Sequence, residues 1–327
     1  MKKLVVLAII CGLALGSLGV DVACAAKKQV KVLGIRIGSS GQMFATKVGE
    51  VINKNVPEVA VTVVAGSSSE NPINVQKGRG EIGFTSAKYA YLAYKGEKKY
   101  DGMACPDLRF FFFFVTTLDN WIVRADSPIK KIEDLKDKKL CLGPKGYALT
   151  ENALTTLKVY GLTPDTIRKN GGNVSFATDK DCARMMQDRL IDAMFVHTGK
   201  SKIIRTVLPL EETVGVRPLP YDRDKLAKIM DELGRGVIAM DIDGGVYEAE
   251  PNPVSSFGTP FIFVIDKDMP EAIVYKMTKA VWENQPQIRE AVGPFYDPFK
   301  LENAVLGADI PIHPGALQYY KEKGLVE

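Results

Sequence analysis

Five short stretches rich in glycine and small polar side chains could do chemistry: residues 38–42, 66–71, 85–86, 143–150 and 197–199. Each follows an apolar run that reads as a strand, and most lead into a helical pattern. Backbone N–H groups at a helix start are unsatisfied and lie at the positive end of the helix dipole, so such loops suit an anion. Glycine lets a ligand approach the backbone, and serine or threonine adds donors. The candidate ligand contacts are Ser39, Ser40 and Gln42 in the first loop, Ser67, Ser68 and Asn71 in the second, and Thr85 and Ser86 in the third. Tyr147 and Thr150 come from the fourth loop, and His197 and Thr198 from the fifth. Tyr89 and Trp121 are candidate pocket walls, with ordinary partial burial as the equal alternative. Arg36, beside the first loop, is a candidate to pair with a carboxylate. Replacing Asn71 or Ser86 by Ala is expected to weaken binding and leave the fold intact.

Catalytic patterns fare worse. Gly199-Lys200-Ser201 ends like a phosphate-binding loop, but Met194 stands where that loop needs its first glycine. His197 has no G-x-S-x-G nucleophile elbow to serve. With two histidines in the chain, any site needing three is excluded. Asp241-Ile242-Asp243-Gly244 lacks the glycine position of a calcium-binding EF-hand loop. No catalytic residue, metal or cofactor is expected. A periplasmic serine-dependent hydrolase is the minor alternative.

The elements that must position these loops alternate. Strands are expected at 30–37, 60–65, 81–85, 110–115, 120–124, 139–142, 193–196 and 261–265. Helices are expected at 43–55, 72–77, 149–160, 182–188, 271–284 and 314–323. This order predicts an α/β fold with a largely parallel sheet, whose ligand crevice lies at the strands' C-terminal ends. Phe110–Val115, five phenylalanines and a valine, fits a strand buried on both faces. His313, beside Pro314, reads as a surface or capping residue.

Length and charge narrow the classes further. A chain of 327 residues exceeds what one core usually serves, so two domains are expected. The net charge of +4 is spread rather than clustered, which argues against a nucleic-acid partner. Residues 1–26 start Met1-Lys2-Lys3, continue with an apolar run over 4–20 and end Ala23-Cys24-Ala25-Ala26, the pattern of a cleavable secretory signal peptide. Periplasmic location follows as an expectation. The mature chain keeps Cys105, Cys141 and Cys182, which allow at most one disulfide and are read mainly as small buried residues.

The ordered set of these pieces resembles the TRAP-associated extracytoplasmic immunogenic (TAXI) family of solute-binding proteins, where TRAP denotes tripartite ATP-independent periplasmic transport. The resemblance rests on Ile37-Gly38-Ser39-Ser40 with Phe44, Ser67–Asn71 followed by Gly80-Glu81-Ile82-Gly83-Phe84, and Val123–Ile129 with Asp134-Leu135-Lys136. It continues through Gly143-Pro144 and Ile191–Phe195, and ends in His313-Pro314-Gly315-Ala316 with Tyr319-Tyr320 and Lys323-Gly324-Leu325. It implies a two-lobed periplasmic-binding-protein fold (type II-like) with the ligand cleft between the lobes. The chain would cross between lobes near Trp121–Arg124 and Ser255–Ile262, giving lobes 27–122 plus 256–327 and 123–255. It also implies a small organic acid or amino acid as ligand and a TRAP membrane permease, driven by an ion gradient, as partner. The binding subunit of an ATP-driven importer is the alternative within the same class. Met43 and Phe44 stand where the family carries two tyrosines after a longer glycine-rich turn, which adds them to the ligand candidates and implies an altered pocket.

Overall fold

The structure, a computed structural model, describes residues 26–35, 37, 39–293 and 298–327, with only the backbone of Ser40. The expected signal peptide and Arg36 lie outside the described residues, apart from Ala26.

Strand and helix alternate from the start of the described chain. β1 (Lys28–Leu33), α1 (Ser40–Asn55), β2 (Val59–Val64), α2 (Asn71–Gln76), β3 (Ile82–Ser86) and α3 (Ala87–Lys95) follow in order. Serine side chains open two of these helices, Ser39 accepting from the Gln42 N–H and Ser86 from the Tyr89 N–H, each at 3.2 Å. Gly96 ends α3 with φ 68°, a left-handed conformation that favours glycine.

β4 (Leu108–Arg124) then runs unbroken for 17 residues, joining the two strands expected at 110–115 and 120–124 into one. The second half of the alternation is β5 (Lys139–Leu142), α4 (Ala148–Val159), α5 (Pro164–Lys169), β6 (Asn173–Phe176), α6 (Asp179–Gln187) and β7 (Ala193–Thr198). α7 (Leu208–Val214), β8 (Val216–Pro218), α8 (Arg223–Leu233) and β9 (Ile238–Ala239) lead to the long return strand β10 (Phe257–Asp266). Helices α9 (Glu271–Glu283), α10 (Gln285–Val292) and α11 (Pro314–Glu322) complete the chain.

The strands form one ten-stranded sheet in the order β2-β1-β3-β10-β4-β7-β5-β6, with β8 beside β4 and β9 beside β10. The wings are parallel: β1 pairs with β2 and β3, and β5 with β6 and β7. The centre is not. β10 runs antiparallel to β3 and β4, and β4 antiparallel to β7, so the largely parallel sheet expected from the alternation holds only for the two wings. The reason is that β4 and β10 pass between the wings in opposite senses.

These two strands also separate the cores. One core takes Val30–Val115 positions together with Ile262–Ile265 and the C-terminal helices. The other two cores draw only on residues from Leu118 to Phe257. On β4 the change falls at Thr116–Thr117, ahead of the crossing expected at 121–124; on β10 it falls between Phe257 and Ile262. The molecule is thus a two-lobed mixed α/β fold.

The phenylalanine run is central, as its composition predicts. Phe110–Phe113 are fully buried, with β10 on one edge and the C-terminal segment on the other through Phe110 N–H to Pro311 O at 2.8 Å and Phe113 N–H to Ala304 O at 3.1 Å. Each such ring contributes roughly 1.5–3 kcal/mol by leaving water. In the second core region Cys141 of β5 and Cys182 of α6 form a disulfide, which corrects their reading as plain buried thiols; Cys105 is free and buried. His313 is a capping residue but not a surface one: it is buried, its Nδ1 accepts from the Gly315 N–H at 3.2 Å, and its Nε2 donates to Met269 O at 3.0 Å.

Candidate functional site

The strand-end loops come together as the alternation requires, but most of their polar side chains are occupied in holding the loops. Asn71, at the start of α2, is fully buried. Its Nδ2 donates to Leu33 O at 3.0 Å, Gly34 O at 2.7 Å and Phe84 O at 2.7 Å, and its Oδ1 accepts from Ser67 N–H at 3.2 Å. One amide therefore ties together the ends of β1 and β3 and the turn before α2, and no amide proton is left for a ligand. Thr85 donates to Ser68 O at 2.6 Å, Ser86 caps α3, and Gln42 Oε1 accepts from Ile35 N–H at 2.9 Å. Asn71 and Ser86 are accordingly parts of the frame, and replacing Asn71 is expected to unsettle the fold, against the sequence-based expectation. Ser67 and Ser69 approach through their hydroxyls at 3.4 Å. The Ser68 hydroxyl is buried with no hydrogen-bond partner among the described residues. The side chain of Ser40 lies outside the described residues.

The aromatic candidates separate. Phe44 is wholly inside the first core, its ring 3.9 Å from that of Phe114 and 4.8 Å from that of Phe299. It faces the core because Phe44, Val48, Val51 and Ile52 make one apolar stripe on α1. Trp121 is equally buried, with Nε1 donating to Thr156 Oγ1 at 2.9 Å and its ring 5.1 Å from Phe195. Neither ring reaches solvent. Met43 and Tyr147 are exposed, Tyr147 at 59%. Thr150 donates to Pro144 O at 2.8 Å inside its own loop, and Thr198 accepts from Tyr247 OH at 3.2 Å. Tyr89 is the candidate that lines a cavity.

That cavity, of about 270 Å³, lies at the seam between the lobes. Lys88, Tyr89 and Leu92 of α3 and Lys98–Lys99 just beyond it form one wall; Glu151 and Thr155 of α4 and Glu232 and Leu233 of α8 form the other. Gly236 lets the chain after α8 lie against the start of α3: a Cβ there would stand 2.3 Å from the Lys88 nitrogen, and its φ is +82°. Lys98 Nζ donates to Glu232 O at 3.3 Å, and Arg235 sits 5.7 Å from the Tyr91 ring centre.

A polar chain crosses the same seam. Lys88 Nζ donates to Asn152 Oδ1 at 3.4 Å; Asn152 Nδ2 donates to Asp119 Oδ2 at 2.6 Å; His197 Nδ1 meets Asp119 Oδ1 at 2.6 Å. Asp119 sits on β4 directly opposite His197 on β7, which sets this contact by register. Burial pulls the imidazole pKa down, but the charge of Asp119 and its hydrogen bond outweigh that and raise it above the usual histidine range. Burial lowers the Lys88 pKa, with Glu151 and Asp119 opposing. The Tyr89 phenol is pushed up to about 12, first by burial and then by the charge of Glu151.

Sequence reasoning reached His197 and Tyr89 but missed Lys88, Asp119, Asn152 and Glu151. The signal was there for two of them. Lys88 interrupts an otherwise apolar and aromatic helix, Ala87–Tyr94, and Asp119 stands in a strand whose residues on either side are buried. Asp243, in the loop first weighed for calcium, is held by Lys200 and Ser201.

The fold is shared with known proteins. A TctC solute binding protein from Polaromonas, 14% identical, superposes with a TM-score of 0.55 over 93% of this chain and 100% of its own. The periplasmic aliphatic sulphonate binding protein SsuA from Escherichia coli, 16% identical, gives 0.45 over 90% and 79%. At such identities the first likeness speaks for the architecture: two α/β lobes joined by crossing strands. The family profile matches far more of the sequence than any one loop, from residue 38 to residue 324. The chain belongs to the NMT1-like family.

Proposed function

We propose that this protein is the extracytoplasmic solute-binding subunit of an uptake system: it captures a small organic anion, a carboxylate or amino acid, by lobe closure and hands it to a membrane permease. The ion-gradient-driven TRAP permease is the partner that the TAXI resemblance supports. One observation carries the reading. The Lys88–Asn152–Asp119–His197 chain runs from the first lobe into the second, so the closed arrangement makes polar contacts that separated lobes cannot. A ligand touching both sides favours closure for the same reason, because only the closed state makes both sets of contacts.

We take the lobes to follow the cores, one drawing on 27–115 and 262–327 and the other on 118–257, where the sequence reading divides the chain into 27–122 plus 256–327 and 123–255. The signal-like residues 1–26 support export to the periplasm. The Cys141–Cys182 bond fits an oxidising compartment.

A thermal-shift screen against monocarboxylates, dicarboxylates, 2-oxo acids and amino acids tests the capture. A binder present at a hundred times its Kd stabilises the protein by roughly 2.7 kcal/mol. No shift with any small acid overturns the reading. Turnover of ester or amide substrates that disappears in His197→Ala would replace it by the hydrolase alternative, for which the Asp119–His197 pair supplies two of the three triad members.

A further inference from the structure

The seam cavity contains a buried cation short of partners. Lys88 is 7% exposed. An ammonium group has three donors, yet the described residues offer Lys88 a single hydrogen bond, to the neutral Asn152 oxygen at 3.4 Å, and no carboxylate within ion-pair distance. Buried charges are strongly disfavoured unless paired. Lys99 stands over the Tyr89 ring at 3.9 Å from its centre, on the same wall. The opposing acids are partly engaged: Glu232 receives Lys158 at 2.9 Å, while Glu151 remains at the cavity wall. Three lysines line the cavity against two glutamates, one of them already paired with Lys158, so positive charge is in excess.

We propose that this seam cavity, rather than the crevice at the strand ends, seats the carboxylate of a small organic acid of one net negative charge, held between Lys88 and Lys99. The proposal rests on the capture reading above and gives it a location. The carboxylate supplies the oxygen acceptors that Lys88 lacks. Glu151 on the opposite wall repels further negative charge, which sets the class at one net charge and rejects trianions. The volume of about 270 Å³ limits the ligand to a small molecule, below the usual range of drug-sized pockets, about 300–1,000 Å³. Lys88 and Lys99 come from one lobe and Glu151 and Glu232 from the other, so the carboxylate is held by the first lobe and faces the acids of the second.

Titration calorimetry of the purified protein with pyruvate, benzoate, glutamate, succinate and citrate tests it. At least one acid of single net charge is expected to bind, and citrate is expected to bind at least tenfold more weakly. Lys88→Met is expected to weaken the bound acid at least tenfold and Lys99→Met severalfold, with Lys88→Arg recovering part of the loss. A Lys88→Met protein that fails to fold, as its melting curve will show, would mean that Lys88 is already satisfied and overturn the shortage of partners argued for it, and the exposed Lys99 then carries the test of binding. Wild-type affinity in both Met variants, with loss in Ser39→Ala or Ser40→Ala, overturns the seam site and leaves capture standing. Citrate binding as tightly as the best single-charge acid overturns the charge class. No binding of any acid overturns capture and the seam site together.

Discussion

At the ends of β1 and β3, Asn71, Thr85 and Ser86 spend their hydrogen-bonding capacity on neighbouring backbone. At the seam, Lys88 is also buried but has one long bond to a neutral oxygen. Both regions are polar, and both gather small or charged side chains near the lobe boundary. The difference lies in what is left over. In the first region the donors, the Ser68 hydroxyl excepted, hold the loops in shape; in the second, a charge is present whose natural partner is of opposite sign. Residue type alone does not distinguish a loop built to bind from a loop built to stay still. The count of unused donors does.

Four measurements can break or sharpen this contrast. Phe44→Ala should cost about 3–5 kcal/mol in chemical denaturation, as for any ring removed from a packed core; a cost below about 1 kcal/mol would put Phe44 back at a ligand surface. Asn71→Ala should cost roughly 3 kcal/mol by leaving several buried backbone groups without partners. A stable Asn71→Ala protein with weakened ligand binding would erase the distinction between the two regions.

The third measurement concerns pH. The His197 pKa is raised in the folded protein above its ordinary value of 6.5, so pairing with Asp119 stabilises the fold fully below that value. The gain is lost as pH climbs through the raised value. Wild-type protein should therefore lose stability relative to His197→Gln as pH rises above about 6.5; parallel curves for the two proteins would show that the pair is energetically idle. The smallest effect is of opposite sign. Lys88→Met, without ligand, should leave stability unchanged or raise it by up to about 1 kcal/mol, since an under-partnered buried charge is replaced by a side chain of similar volume. A loss of several kcal/mol would mean that Lys88 is already satisfied.

The alternation of strands and helices was legible because each half-buried or fully buried segment carries its period in its own residues. The serines that open α1 and α3 act locally, yet α1 was expected to start only at residue 43 and α3 was not expected at all. The antiparallel centre was not legible, because the direction in which β4 and β10 pair depends on residues some 140 positions apart in register, such as Asp119 and Phe257. The same reason hid the seam. Lys88, Asn152, Asp119 and His197 come from four separate elements, and no local spacing relates them. α8, which supplies one wall of the cavity, went unpredicted between loops. The Cys141–Cys182 pairing likewise depends on where β5 and α6 meet, with an interval of 41 residues that no sequence rule selects.

The position of β4 has a consequence for how the chain acquires its structure. The ladder on the phenylalanine run is completed by β10 and by the segment around residues 304–313, both made long after it. The second lobe also waits, since Phe257 belongs to its core. Neither lobe can finish before the last quarter of the chain is available, and such long-range pairing folds slowly. Until then Phe110–Phe114 have no partner strand, and an apolar run of this kind is where an unfinished chain aggregates. The features that place the strand at the centre of the finished molecule thus make it the most vulnerable stretch of the unfinished one.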